Sequence, residues 1–300
     1  MPDTDEEKGL NMLLSNDDEY QIHAGDCIPH MAEDMPAESV DMAIFSPPFP
    51  SLYAYTSEDC DIGNTDTVNA EATLHLSYFY KALLRVLKPG RVALVHVCQI
   101  PRMKRTGGVG MCDFRGLNIR LGERAGLVFE FDWLIPKNPQ AQAIRTRSRE
   151  LQFAGLESDR AKQRGSIADY LIKFRAPGDN AIPIDTAGQV TREEWIAWAE
   201  SAWYGIRETH TLNTSRAKGP DDVKHICPLQ LDVIDRAVRL FSNPGEIVFS
   251  PFTGIGSEGV MALRRERRFY GCEIKAEYLA EADRNLRAVI KERETQMSLF

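Results

Sequence analysis

Residues Glu246 to Glu273 read EIVFSPFTGIGSEGVMALRRERRFYGCE. The run Glu246–Ser250 has the length and apolar character of a buried strand. It gives way to Thr253-Gly254-Ile255-Gly256, where glycine lets the backbone turn sharply and come close to a ligand. A helix is expected to begin near Glu258. A second strand, Arg268–Glu273, follows and ends on an acid. Strand, glycine loop, helix and strand make the repeating unit of a parallel sheet, and an acid about 20 residues past the loop is placed to accept hydrogen bonds from ribose hydroxyls. Counting Gly254, Gly256 and Gly259 also spells G-x-G-x-x-G. A pyrophosphate-binding site of a dinucleotide-dependent oxidoreductase is therefore a competing reading of the same stretch.

Further strand-length apolar runs lie at Gln21–Ala24, Val40–Phe45, Arg91–Val97, Leu127–Ile135 and Ala168–Arg175, bounded by Gly, Pro or Asp. Helical periodicity separates several of them. Leu76, Phe79, Tyr80, Leu83, Leu84 and Leu87 share a face that stops at Pro89-Gly90, and Leu231, Ile234, Val238 and Phe241 share another that stops at Asn-Pro-Gly. A third helix is expected over residues 275–294. The alternation predicts an α/β fold, a doubly wound, mostly parallel, seven-stranded Rossmann-like sheet. Residues 177–221 break the rhythm and read as a small insertion. Within it, Thr191-x-x-Glu194 is a capping box opening a short helix, and Trp195, Trp198 and Trp203 read first as packing residues. Residues 1–19 read as an acidic mobile leader, and 295–300 as a C-terminal tail.

The chain has 300 residues, 43% hydrophobic and 27% charged, with a net charge of −8. No apolar run is long enough for a membrane span, and the start lacks the core of a signal peptide, so a cytoplasmic protein is expected. Cys27, Cys60, Cys98, Cys112, Cys227 and Cys272 form no C-x-x-C pair and no zinc spacing, which predicts free thiols and no metal site. The charge is unevenly spread. Residues 101–175 hold 15 Lys/Arg against 8 Asp/Glu, a net of +7 that suits a phosphate-bearing partner.

The run Val40–Phe45 ends abruptly on Ser46-Pro47-Pro48-Phe49. Alone this is a proline turn; paired with the downstream glycine loop it acquires a function. Together the motifs resemble those of the DNA amino-methyltransferases, in the group whose catalytic loop precedes the cofactor loop. The family's (Asp/Asn/Ser)-Pro-Pro-(Tyr/Phe/Trp) is matched by Ser46, Pro47, Pro48 and Phe49. Its cofactor loop, near Asp-Pro-Phe-x-Gly-x-Gly, is matched by Ser250, Pro251, Phe252, Thr253, Gly254, Ile255 and Gly256. Gly271, Glu273 and Tyr278 match the ribose-binding segment, and Gly25-Asp26 the early Gly-Asp, whose carboxylate would sit near the adenine of the cofactor. The resemblance covers residues 20–176 and 222–290. It implies S-adenosylmethionine as cofactor and methylation of a base amine in DNA, cytosine N4 ahead of adenine N6 because serine stands where aspartate is common, often beside a restriction partner. Ser250 replaces the usual aspartate, which keeps open a catalytically silent DNA-binding relative.

The chemistry asked of Ser46–Phe49 follows from the substrate. An exocyclic amine is a weak nucleophile because its lone pair is delocalised into the ring. Acceptors aimed at its N–H groups favour the pyramidal shape it needs to attack a methyl group. The Ser46 hydroxyl and Pro47 carbonyl are such acceptors, the prolines hold them still, and Phe49 offers a face for a flipped base. Arg145, Arg147 and Arg149 would line one side of an extended segment facing phosphate, with Lys137, Asn138 and Gln140 nearby. Target recognition is expected in 177–221 and parts of 100–165, where Gly107-Gly108-x-Gly110 suggests a mobile loop. The partner is DNA, duplex or single-stranded. The ending Gln296-Met297-Ser298-Leu299-Phe300 resembles the pentapeptide that docks bacterial proteins onto the DNA sliding clamp, with packing on its own domain as the alternative. A homodimer is a further candidate assembly.

Overall fold

A computed structural model of the chain describes every residue except 1–12, 16–17, 51–60, 65–70, 103–109, 147–150, 152–158, 160, 162, 216–226 and 298–300. Its centre is one seven-stranded sheet. In chain order the strands are β1 (Tyr20–Ala24), β2 (Val40–Phe45), β3 (Leu87–Cys98), β4 (Val128–Ile135), β5 (Asp169–Arg175), β6 (Ile247–Ser250) and β7 (Arg268–Glu273). They lie side by side as β1-β7-β6-β2-β3-β5-β4. Six point the same way and only β5 runs against its neighbours. All seven runs read from the sequence are strands of this sheet.

The longer helices among the described residues are α1 (Glu71–Val86), α2 (Phe114–Ala125), α3 (Pro139–Thr146), α4 (Arg192–Trp198), α5 (Leu231–Phe241), α6 (Ser257–Arg264) and α7 (Ala276–Met297). The sheet separates two apolar layers. Strand β2 shows how: Val40, Ala43 and Phe45 join the layer that holds Leu76, Phe79 and Leu83 of α1, while Met42 and Ile44 join the layer that holds Ile234 and Val238 of α5. Alternation along a strand buried on both faces makes the whole run apolar, the signature of a central parallel strand. Helix α1 passes straight into β3 at Leu87, so Pro89-Gly90 lies in the strand and not at the helix end; Gly90, at φ +71°, donates its N–H to Ala176 O.

At the rim away from the loops of interest, a buried polar cluster fixes the register of β2, β3 and β6. Asp41 accepts from Ile247 N at 2.9 Å and from Lys88 Nζ at 2.6 Å, while Arg91 Nε donates to Asp41 O at 2.7 Å and its guanidinium pairs with Glu246. Every buried charge here has a partner, the condition under which such a cluster is tolerated.

Two expectations about the ends and the insertion change. The leader is not wholly mobile: Leu14 is buried in the core beside residues of α1's layer. Its apolar side chain was hidden among the acids. The 177–221 segment does not stand apart as a lobe. Ala202 bridges Leu134 of edge strand β4, Trp203 N donates to Leu134 O, and the fully buried Trp203 ring lies 5.1 Å from Trp133. The insertion thus covers an open sheet edge. The capping box at Thr191 and Glu194 forms as read, Trp198 and Trp203 are buried packing residues, and Trp195 is exposed. Gln296 and Met297 belong to the last turn of α7, while Ser298, Leu299 and Phe300 lie outside the described residues, as do Gly107 and Gly108. Among the described residues no helix is long and apolar enough to cross a membrane, and no group of His, Cys, Asp and Glu has metal-binding geometry.

Candidate active site

Strands β2 and β6 are parallel neighbours, with Met42 opposite Val248 and Ala43 opposite Phe249. Their carboxyl ends therefore leave the sheet at the same rim. Ser46–Phe49 follows one and Pro251–Gly256 the other. Phe252 joins them, its ring 5.8 Å from Phe45 and 5.0 Å from Phe79. Phe49 is half-buried against Phe114 of α2, ring centres 5.4 Å apart.

The glycine loop reaches the acid that ends β7. Gly254 N donates to Glu273 Oε2 at 2.7 Å and Lys275 N donates to Oε1 at 2.9 Å. Gly254 sits at φ +55° with open space where a side chain would point. Gly256, also left-handed, begins α6, and a Cβ on Gly259 would strike Phe269 at 2.6 Å. The first glycine thus keeps the loop open, and the last allows α6 to lie close on β7. Strand β1 pairs with β7 so that Ala24 stands opposite Glu273, and Gly25 N donates to Glu273 O at 2.9 Å. That contact brings Asp26 to the same rim, where its carboxylate also accepts from Ile28 N at 2.9 Å.

Acid dominates this end. Burial pushes the Glu273 carboxyl up to about 7 and Glu258 up to about 8. Asp61, buried just before a short 3-10 turn, adds to the upward push on Glu273. Asp61 and Glu258 were not singled out in the sequence, since neither falls in a motif position. Ser250 and Ser257 are buried with hydroxyls that no described protein group satisfies. A cationic ligand bearing hydroxyls fits this end of the sheet: acid for the charge and the diol, and open backbone at Gly254.

On the Ser46 side, three residues from distant segments meet. Ser46 Oγ and His96 Nδ1 are 2.9 Å apart, and His96 Nε2 lies 2.9 Å from Asp169 Oδ2. Lys137 Nζ reaches the same Asp169 oxygen at 2.6 Å. His96 comes from β3, Asp169 opens β5, and Lys137 follows β4. Because β5 is antiparallel, its first residue sits at the rim where β2 and β3 end. Burial would raise the Asp169 carboxyl, but its contacts with His96 and Lys137 outweigh that and hold it below the usual carboxylate range. Sequence reasoning found Ser46 of this set and named Lys137 only as a residue near the phosphate-facing arginines; His96 and Asp169 were missed.

The basic residues fare differently. Lys137 is buried on Asp169 and does not face outward. Asn138 Oδ1 accepts from Gln140 N and Ala141 N, so it caps α3 with Pro139 in the first turn, a start signal that the sequence reading passed over. Arg145 is exposed on the last turn of that helix and not on an extended segment; Arg147 and Arg149 lie outside the described residues.

Comparison with known proteins shows the fold and the family. Type II methyltransferase M1.MboII of Moraxella bovis is 39% identical over 59 residues, 20% of this chain and 23% of that protein, so the chain matches under a quarter of that relative's length. Among solved structures, a DNA modification methylase of Thermus thermophilus, complexed with S-adenosyl-L-methionine, superposes with a TM-score of 0.66 at 20% identity, covering 90% of this chain and 94% of that one. PvuII DNA methyltransferase, described as cytosine-N4-specific, gives a TM-score of 0.64 at 18% identity, covering 89% and 86%. At such identities these two likenesses speak for the fold. The model of the N6/N4 DNA methylase family matches residues 40–284, a span that takes in both loops, and the chain belongs to that family.

Proposed function

We propose that the chain transfers a methyl group from S-adenosylmethionine to an exocyclic base amine in DNA, with cytosine N4 the favoured target. One observation carries the reading: β2 and β6 are neighbours, so the Ser-Pro-Pro-Phe loop and the glycine loop share a rim. A dinucleotide oxidoreductase would use the second loop and leave the first without a task. When bound, S-adenosylmethionine supplies a methyl group activated on a cationic sulfonium. Glu273 would hold its ribose hydroxyls and Asp26 would lie by its adenine. Ser250, Pro251, Phe252, Thr253, Gly254 and Gly256 would form the wall along which it lies.

The remaining chemistry belongs to the chain. Pro47 and Pro48 stiffen the turn, so the Ser46 oxygen and the Pro47 carbonyl need little reorganisation to accept from the amine. Phe49, backed by Phe114, takes the face of a base swung out of the duplex, at a cost of a few kcal/mol that falls for a single strand. Serine in place of aspartate favours cytosine. Arg145 and the basic segment around it would meet phosphate.

The test is methylation of defined duplex and single-stranded oligonucleotides, followed by digestion and mass analysis of nucleosides. N4-methylcytosine is expected. N6-methyladenine would move the target to adenine. No modified base, from protein that still binds the methyl donor and DNA, would make the chain a silent relative and reject the activity.

A further inference from the structure

A serine hydroxyl is an ambiguous neighbour for an amine, since it can donate as readily as it accepts. Ser46 is useful only if its own proton is directed elsewhere. Behind it stand His96, Asp169 and Lys137, contributed by β3, β5 and the segment after β4, with contacts of 2.9, 2.9 and 2.6 Å. Both His96 and Asp169 are buried. The motif explains Ser46 but gives no reason for a buried histidine and lysine stacked behind it.

We propose that His96 is a positioning residue that accepts the Ser46 proton, fixing the serine oxygen as the acceptor for the target amine and draining a proton from the methylated product. This rests on the methyl-transfer reading above. In this relay Lys137 serves as the counter-ion of Asp169, and His96 acts as the neutral tautomer whose Nε2 hydrogen is donated to Asp169 Oδ2. Its Nδ1 lone pair then faces Ser46 and accepts the hydroxyl hydrogen. The serine lone pairs are left to accept from the amine N–H.

The step balances. The amine nitrogen forms a bond to the methyl carbon as that carbon's bond to sulfur breaks, and the electron pair stays on sulfur as a neutral thioether. The nitrogen, now cationic, passes one proton to Ser46 Oγ while the former Ser46 proton moves to His96 Nδ1. The product is a neutral methylamine and an imidazolium that Asp169 stabilises. Loss of that proton to solvent resets the site. A carboxylate in place of Ser46 would accept directly and need no such support, so the histidine answers a need specific to serine.

The other ionisable groups facing His96 do not imitate this titration. Cys98, two residues along β3, is pushed up to about 12 by burial and the nearby Asp169. Cys227, which precedes α5, adds to that rise, while Lys137 and Arg145 oppose it. Glu273 titrates near 7 but governs donor binding, so the rate must be read with the donor already bound.

Two measurements test the relay. In single-turnover reactions with donor and DNA saturating, the wild-type rate should fall as pH drops and His96 charges. His96→Gln should lose at least about 100-fold at neutral pH, the scale of a positioned proton acceptor, and lose the acid limb, with donor affinity kept. Asp169→Asn should shift the limb to lower pH, since the imidazolium loses its counter-ion. A His96→Gln enzyme with the wild-type rate and pH profile would overturn the relay while leaving methyl transfer standing; a wild-type enzyme that methylates no base would instead remove the underlying reading. Independently of activity, nitrogen NMR of 15N-histidine-labelled wild-type protein, assigned by difference from His96→Gln, should show His96 neutral with its hydrogen on Nε2 at neutral pH. An imidazolium, or a hydrogen on Nδ1, would also overturn it.

Discussion

Gly254 donates its backbone N–H to Glu273 Oε2 at 2.7 Å, across a helix and a strand. The glycine loop and the acid at the end of β7 are therefore one mechanical unit. Ligand affinity should respond to the protonation of that acid. Burial pushes Glu273 up to about 7, so its neutral form is populated around neutrality. In the free protein the sign runs against the charge: ionising this buried acid costs stability, so stability contributed by Glu273 falls as pH rises from about 4.5 to about 7. A cationic ligand with hydroxyl donors favours the carboxylate, so binding expels the proton. Calorimetric affinity for S-adenosylmethionine should therefore weaken up to about tenfold per pH unit below 7 and level off above it. Glu273→Gln should bind weakly and lose the slope. A wild-type affinity flat from pH 6 to 8 would count against the role.

Phe49 stands apart from that unit, against Phe114 at 5.4 Å. Base stacking on an aromatic ring contributes about 1–3 kcal/mol, so Phe49→Ala should lower single-turnover methyl transfer roughly 5- to 150-fold. Donor affinity should change little, because the ring contact of Phe49 among the described residues is with Phe114 of α2 and not with the glycine loop. Phe49→Tyr should retain most activity. Unchanged turnover in Phe49→Ala would remove the base from that face.

The insertion offers a test of stability. Trp203 is fully buried, donates Nε1–H to Trp198 O at 3.0 Å and packs on Trp133. Trp203→Ala should cost about 3–5 kcal/mol and lower the denaturation midpoint. Trp195, on the exposed face of α4, should tolerate alanine with a change under about 0.5 kcal/mol. Equal effects at both positions would mean the insertion is not held through its second half.

The strands were legible because burial on both faces of β2, β6 and β7 demands mostly apolar residues, and the loops that follow β2 and β6 carry Pro and Gly. Helix α3 carries a readable start at Asn138-Pro139 that was passed over, whereas α2 was hidden for physical reasons. Helix α2 carries Gly116 and Gly122, poor helix formers, and Gly122 is there because a Cβ would strike Phe174 at 2.6 Å. Its inward Asn118 is polar only because Tyr80 donates to it at 2.7 Å. Tertiary contacts thus overrode the local signal. The two loops were readable because each is a compact run whose chemistry needs adjacent residues. The His96–Asp169–Lys137 cluster was not, because it comes from three segments whose meeting depends on β5 running antiparallel, with Asp169 opposite Cys98. Nothing in local composition announces a strand's direction.

The glycines of the loop should separate binding from folding. Gly254 has φ +55° and nothing within 4 Å of a side chain built there, whereas Gly259 has Phe269 at 2.6 Å and Leu286 at 2.7 Å. In Gly254→Ala the fold pays only for a left-handed alanine, about 1–2 kcal/mol, but the new methyl group projects into the space a ligand would use. In Gly259→Ala the helix must move off β7, an overpacking cost of about 1–3 kcal/mol or more, with no group added to the ligand's side. Donor affinity measured at a temperature where both variants are folded should fall far more for Gly254→Ala. The melting temperature should fall at least as much for Gly259→Ala. If Gly254→Ala bound the donor as the wild type does, the open space at Gly254 would not be where the ligand lies, and the cofactor would have to approach β6 from elsewhere on the rim.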